Sequence, residues 1–409
     1  MGSPRMPKAG LLPFYLKLYD DALPECRAGF ESFLRRIAAG FEARGIAVET
    51  APVCRVADEF AAALAGFEAA GVDAVVTLHL AYSPSLEALD AFCAGLLPVI
   101  ILDTTMDADF GRTVSPARIM YNHGVHGVMD FASMLRRRGR SFEIVAGHDS
   151  DPRTLDRAAD LVRAAVAAGA LRDSRVLRIG DAFAGMGDFS VPEGALAGRL
   201  GIRVRQAGIE ALDEAVFDVS DDAVAAETAA DRARFACELS EQVHERSVRV
   251  GLGLRELLQT SACDAFSVNF QAFDRTDGEA NTMPFLEISK AMARGLGYAG
   301  EGDVLTAALV GALARAFGAV TFTEVFCPDW AGDTLFLSHM GRSIRRPAAP
   351  DPQAGLRRQG PRPRDPDLRG QARAGRVRQS RPWPRRQFLA DCRARRGAAR
   401  RRGARPGDA

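Results

Sequence analysis

The sequence predicts an α/β chain with two Rossmann-like (flavodoxin-like) parallel-sheet domains. The start of an incomplete β-rich third domain and a disordered tail are expected after them. Three observations carry this. Short, nearly continuous apolar runs such as DAVVTLHL (73–80) and LPVIIL (97–102) recur, as expected of strands buried on both faces of a parallel sheet. Segments with helical apolar spacing alternate with these runs, which is the pattern of βαβ units. From Gly341 onward the apolar periodicity stops.

Taken in order, Leu11–Leu18 (LLPFYLKL) reads as a first buried strand. Residues 24–44 have helical spacing, and Gly45 closes that helix. Ile46–Val53 is a short strand, 56–70 a second amphipathic helix, and 73–80 a strand. A helix over 84–95 leads to the strand 97–102. Residues 124–139 form a helix with Arg136–Arg138 in its last turn, followed by the strand Phe142–Ala146 and an alanine-rich helix over 152–170. A domain boundary falls near 172, and Arg175–Gly180 starts a new strand. Residues 192–200, 208–216 and 221–262 read as mostly helical, Ala265–Asn269 as a strand and 284–296 as a helix. The stretch from Gly297 begins with a glycine-rich turn carrying Glu301 and Asp303, and the helix after Asp303 runs to about Phe317. Val320–Val325 and Thr334–Ser338 are strands that open a third unit. The expected domains are therefore 1–171, 172–318, a third-domain start over 319–341, and a tail over 342–409.

The net charge of +1 hides an asymmetry. Residues 341–409 hold 21 Arg and 5 Asp with no Lys or Glu, a balance of +16 that leaves −15 on residues 1–340. Nine prolines fall between 347 and 406, and a segment of this kind cannot bury enough apolar surface to offset its ordering entropy. The seven cysteines are scattered without a CxxC spacing, which fits free thiols in a reducing compartment. MGSPRMPKAG lacks the apolar core of a signal peptide, and no run of 18 apolar residues occurs. A cytoplasmic protein with no membrane partner is expected.

No GxGxxG, P-loop or GxSxG motif is present, and GLG at 251–253 lies inside a helical stretch. The chemistry-bearing candidates lie elsewhere. Glu301 stands between Gly300 and Gly302 at the entry to a helix, where glycine permits tight backbone geometry. An acid there also suits the helix macrodipole, so helix-start acid and functional carboxylate both remain open. Glu324 lies in the run VTFTEVF; a carboxylate in a buried strand needs a metal or ion-pair partner, whereas one on an edge strand needs none. His339 follows the strand LFLS, and His126 begins a helix three residues after His123. Taken alone, each is more often a structural or surface imidazole than a functional one. His79 reads as a packed polar group, and His148 and His244 give no signal of their own.

Together these segments resemble the L-arabinose isomerase family within the larger L-fucose/L-arabinose isomerase group. VVTLHLAYSP (75–84), HGVMDFASMLRRRGRSFEIVAGH (126–148), RIGD (178–181), GYAGEGDVLTAAL (297–309) and SHM (338–340) carry the resemblance, in order, over roughly residues 10–341. The resemblance implies a Mn²⁺-type divalent ion held by Glu301, Glu324 and His339. It implies aldose–ketose isomerisation of an unphosphorylated sugar through a cis-enediol, with Glu301 and Glu324 as the acid/base pair. It also implies a homotrimer or homohexamer in which His126 reaches a neighbouring subunit's substrate. Two departures stand out. CPDWAG replaces the family's acidic-aromatic run after the second glutamate, which leaves L-arabinose, L-fucose, D-arabinose or a modified hexose open as substrate. The family's fourth ligand is a late histidine, and no histidine follows His339 here. A frameshift soon after Met340 would explain the arginine- and proline-rich tail. The competing readings are a catalytically impaired remnant lacking that fourth ligand and, in third place, nucleic-acid binding through the basic tail.

Overall fold

The computed structural model describes residues 5–339 apart from 236, 238, 275 and 276. The expectations for Met340 and for the 342–409 tail lie outside the described residues. The described chain divides into one compact unit through Phe322 and another that begins at Thr323.

The first unit opens with β1 (Lys8–Phe14), α1 (Lys17–Ala22), α2 (Glu31–Glu42), β2 (Ala47–Thr50), α3 (Ala57–Ala69), β3 (Ala74–His79), α4 (Leu86–Ala94), β4 (Val99–Asp103), α5 (Val125–Arg137), β5 (Glu143–Ala146) and α6 (Pro152–Arg172). The strands pair in the order β2-β1-β3-β4-β5, all parallel, the flavodoxin-like winding. The two-residue strand period sorts side chains onto two faces. Val76 and Leu78 join Phe33, Ile37 and Phe41 of α2 and Leu155 of α6, while Val75 joins Phe60, Phe67, Phe92 and Phe131 on the other side. Helices therefore cover both faces, which is why these strands read as unbroken apolar runs.

The second sheet repeats the plan one strand short. Its elements are β6 (Arg175–Ile179), α7 (Glu193–Leu200), β7 (Arg203–Ala207), α8 (Ile209–Phe217), α9 (Asp221–Arg234), α10 (Glu241–Thr260), β8 (Ala265–Val268), α11 (Phe285–Ala293), β9 (Gly297–Gly300) and α12 (Val304–Phe317). The parallel order is β7-β6-β8-β9. Leu177, Ile179, Phe266 and Tyr298 face α8, α10 and α11, whereas Val176, Ala265 and Ala299 face α7 and α12. Helix α6 packs on α12.

Four expectations are corrected. The first strand ends at Phe14, not Leu18, because its ladder with β3 runs out at the Phe14–His79 pair and Leu16 already caps α1. The 221–262 helix is two helices, broken where Phe235 turns extended. Residues 297–300, read as a turn, are a buried strand: a Cβ at Gly297 would meet Ala307 O at 2.2 Å, so only glycine lets α12 lie so close. The strand expected at 320–325 starts at Glu324, because Phe322 instead turns into the core against the Tyr298 ring, 5.7 Å away. Strand β7 was not expected. Its sequence RVRQA is polar because it is an edge strand and largely exposed.

A charged seam joins α9, α10 and α11. Arg255 lies between Glu227 and Glu287, each 2.7 Å from Nη2, and Lys290 Nζ is 2.6 Å from Glu227. The hydrogen bond from Arg255, and then that from Lys290, pull the Glu227 carboxyl from 4.5 to about 2. The folded state thus takes up this proton later than the unfolded chain. The stabilisation is complete above about pH 4.5 and is lost as pH falls toward 2. Glu227→Gln is expected to remove about 2 kcal/mol at neutral pH after allowance for solvent screening. It should also flatten the stability decline between those pH values, measured by urea unfolding across an acid series.

The second unit is a hairpin, β10 (Glu324–Asp329) and β11 (Thr334–Ser338), antiparallel with a register shift between Val325 and Cys327.

Candidate functional site

Open parallel sheets bind ligands outside the carboxyl ends of their strands, and Glu301 stands at that edge of the second sheet. It directly follows β9. Its amide donates to Val268 O at 3.0 Å, and its carbonyl accepts from the Phe183 amide at 2.9 Å. Its backbone has φ +65°, in the left-handed region, where a residue with a Cβ carries about 1–2 kcal/mol of strain. Gly302 follows at φ +84°, and a Cβ there would meet Ala182 Cα at 2.6 Å and Asp181 O at 2.8 Å. Asp303 Oδ1 then accepts from the Thr306 amide at 2.9 Å and caps α12. Asn269, just after β8, donates from Nδ2 to Asp181 O at 2.7 Å. The turn that presents the half-buried Glu301 is thus pinned from β6, β8 and α12 together. Backbone strain held in place by surrounding structure is a recurrent mark of functional positions.

Glu324 and His339 open and close the hairpin. Glu324 pairs in register with Ser338, so the strand pairing carries the next residue, His339, to the same end. His339 Nε2 lies 3.9 Å from Glu324 Oε2, with the imidazole largely covered and the carboxylate 40% exposed. That is too long for a hydrogen bond. It is short enough for two donors of one ion, since ligands at about 2.0–2.2 Å lie at most about 4.4 Å apart. Glu301 belongs to the other unit. Among the described residues no group of three or more His, Cys, Asp or Glu is assembled that could hold a metal ion. Carboxylate oxygen and imidazole nitrogen are donor types that first-row divalent ions accept.

His126 lies exposed in the first turn of α5, beside the carboxyl edge of the first sheet. Its ring centroid is 6.5 Å from that of Tyr82 and 6.1 Å from that of His123. His123 is fixed: Nδ1 donates to Ile119 O at 2.7 Å, and Nε2 meets the Tyr19 hydroxyl at 3.1 Å. Burial holds its pKa below the usual histidine value, against the opposing pull of the Ile119 carbonyl. Around the same strand ends, Tyr15 Oη, Thr104 Oγ1 and His148 Nε2 are buried with no hydrogen-bond partner. Burial, chiefly, pushes the Tyr15 phenol up to about 12. Of these residues only His126 and His123 drew notice in the sequence. Tyr15, Tyr82, Thr104 and His148 follow four different strands, and no local spacing links them.

The second sheet with its flanking helices decides the comparison. Residues 175–317 match the L-arabinose isomerase central domain. That span includes Glu301 and ends before Glu324 and His339. The L-arabinose isomerase of Mycolicibacterium smegmatis is 31% identical over 58% of this chain and 48% of its own length. That of a Nocardioides species is 34% identical over 46% of this chain and 38% of its own. That of Erwinia tasmaniensis is 30% identical over 58% and 47%. The chain therefore spans about half the length, or less, of these relatives. Among solved structures, a solute-binding protein from Agrobacterium vitis bound with alpha-D-tagatopyranose aligns over 77% of this chain and 91% of its own, at 14% identity and a TM-score of 0.18, a score that carries no argument. Among the described residues no helix is long and apolar enough to cross a membrane.

Proposed function

We propose that this chain is the catalytic part of a metal-dependent aldose–ketose isomerase acting on an unphosphorylated sugar. The single observation that carries the reading is Glu301: a carboxylate on a left-handed turn at the ligand-binding edge of a sheet, within the span that matches the L-arabinose isomerase central domain. The relatives' names make L-arabinose the first substrate to test, with L-fucose and related sugars after it.

Glu301, Glu324 and His339 would hold a divalent ion such as Mn²⁺. When bound, that ion supplies Lewis-acid polarisation of two adjacent sugar oxygens. The chain's own work is proton transfer. One of Glu301 and Glu324 takes the proton from C2 of the aldose and delivers it to C1. The O2 hydroxyl gives up its proton and O1 gains one, so the atoms balance through a cis-enediol. Carboxylates carry out such transfers when their environments separate their pKa values. One lies in a pinned turn after β9 and the other begins a hairpin strand. His126 is proposed to face the sugar of a neighbouring subunit in a trimer or hexamer, and a cytoplasmic location belongs to the same reading.

Mn²⁺ titration by calorimetry tests the ligand set. One site per chain is expected, weakened 10–100-fold or more by Glu324→Gln or His339→Gln. Binding unchanged in both variants would remove the hairpin from the metal site. No saturable binding in the parent chain would favour the remnant reading.

A further inference from the structure

A second group of reactive side chains lies away from the strand ends, in the helix layer formed by α9, α10 and α11. His244 is fully buried, and Asp231 is 3% exposed. His244 Nε2 is 3.3 Å from Asp231 Oδ2, and Nδ1 is 3.7 Å from Cys237 Sγ. The other Asp231 oxygen is 2.5 Å from Lys290 Nζ. These contacts fix the imidazole. The carboxylate accepts only, so Nε2 carries the hydrogen and Nδ1 presents its lone pair to the thiol. A nucleophile beside a base that a third group orients is the general arrangement of an activated side chain. Cys237 is half-buried, in the connection between α9 and α10.

We propose that Cys237 is a reactive thiol, activated by His244 and positioned through Asp231, and that it is a site of thiol–disulfide exchange with small-molecule disulfides. The Cys237 proton passes to His244 Nδ1 and the sulfur attacks one sulfur of the disulfide. The old S–S bond breaks as a mixed disulfide forms, and the departing thiolate takes the proton back from His244. Beyond Asp231, the charged groups of this seam among the described residues include Glu227 from α9, Arg255 from α10, Glu287 and Lys290 from α11, and Arg294 at its C-terminal cap. The inference does not depend on the isomerase reading, since none of these residues belongs to that site.

The test is peptide-resolved alkylation of the full chain with iodoacetamide between pH 5.5 and 9, with Cys327 as an exposed internal reference. At pH 6.5 Cys237 should react about tenfold faster than Cys327, despite its lower exposure. His244→Gln should abolish the excess and leave Cys327 unchanged. Glutathione disulfide should form its mixed disulfide first at Cys237. A wild-type Cys237 that reacts no faster than Cys327 would overturn the proposal, and so would an excess that survives His244→Gln. The wild-type profile decides the matter if the variant does not fold.

Discussion

Glu301→Gly is expected to make the protein more stable and catalytically dead. Glu301 sits at φ +65°, a conformation that glycine adopts freely. Relief of about 1–2 kcal/mol of left-handed strain, set against the greater freedom glycine gives the unfolded chain, leaves a net gain of about 0.5–1 kcal/mol. On the proposed roles, loss of the carboxylate removes an acid/base group and a metal donor at once, so kcat should fall by about a thousandfold or more. Urea unfolding reads the first effect, and an aldose–ketose assay reads the second. Glu301→Gln separates them: activity should fall as far, with no gain in stability. An active Glu301→Gly enzyme would show that the carboxylate takes no part.

Gly302→Val is expected to cost about 3–4 kcal/mol, among the largest single losses in the chain. Two penalties add. The backbone holds φ +84°, and the new Cβ would press on Ala182 Cα at 2.6 Å and Asp181 O at 2.8 Å. Both are main-chain atoms of the segment after β6, so no flexible side chain can yield. The turn must shift, and Glu301 with it, so any folded fraction should also lose activity. Gly185→Ala is the control: φ is +94° there with nothing within 4 Å of a Cβ. Only the conformational penalty of about 1 kcal/mol remains. Equal losses in the two variants would mean that the turn is not held as described.

Much of the fold was legible because burial on both faces writes strands as apolar runs and leaves helices their 3.6-residue spacing. Elements escaped where that logic failed. Strand β7 is an exposed edge rich in arginine. Strand β9 is a glycine pair around Tyr298 and Ala299, a strand only because α12 comes close over Gly297. Of the candidate site, the GEGD turn announced Glu301 through its glycines. The left-handed backbone of Glu301 itself was not legible, since glutamate is a poor choice for it and tertiary contacts impose it. The approach of Glu324 to His339 follows from two strand-like runs joined as a hairpin. The gathering of Tyr15, Thr104 and His148 at the strand ends and the Asp231–His244–Cys237 chain are products of topology. The latter spans a helix break that periodicity alone read as continuous.

The most direct test of the central claim is an aldose panel, L-arabinose and L-fucose included, assayed with Mn²⁺ in D₂O and followed by NMR. Conversion of at least one aldose to its ketose is expected. It should depend on Mn²⁺, place deuterium at C1 of the ketose to the extent that the carrying carboxyl exchanges its proton with solvent, and vanish in Glu301→Gln. No conversion of any aldose by a folded, Mn²⁺-loaded chain, or conversion undiminished in Glu301→Gln, would contradict it.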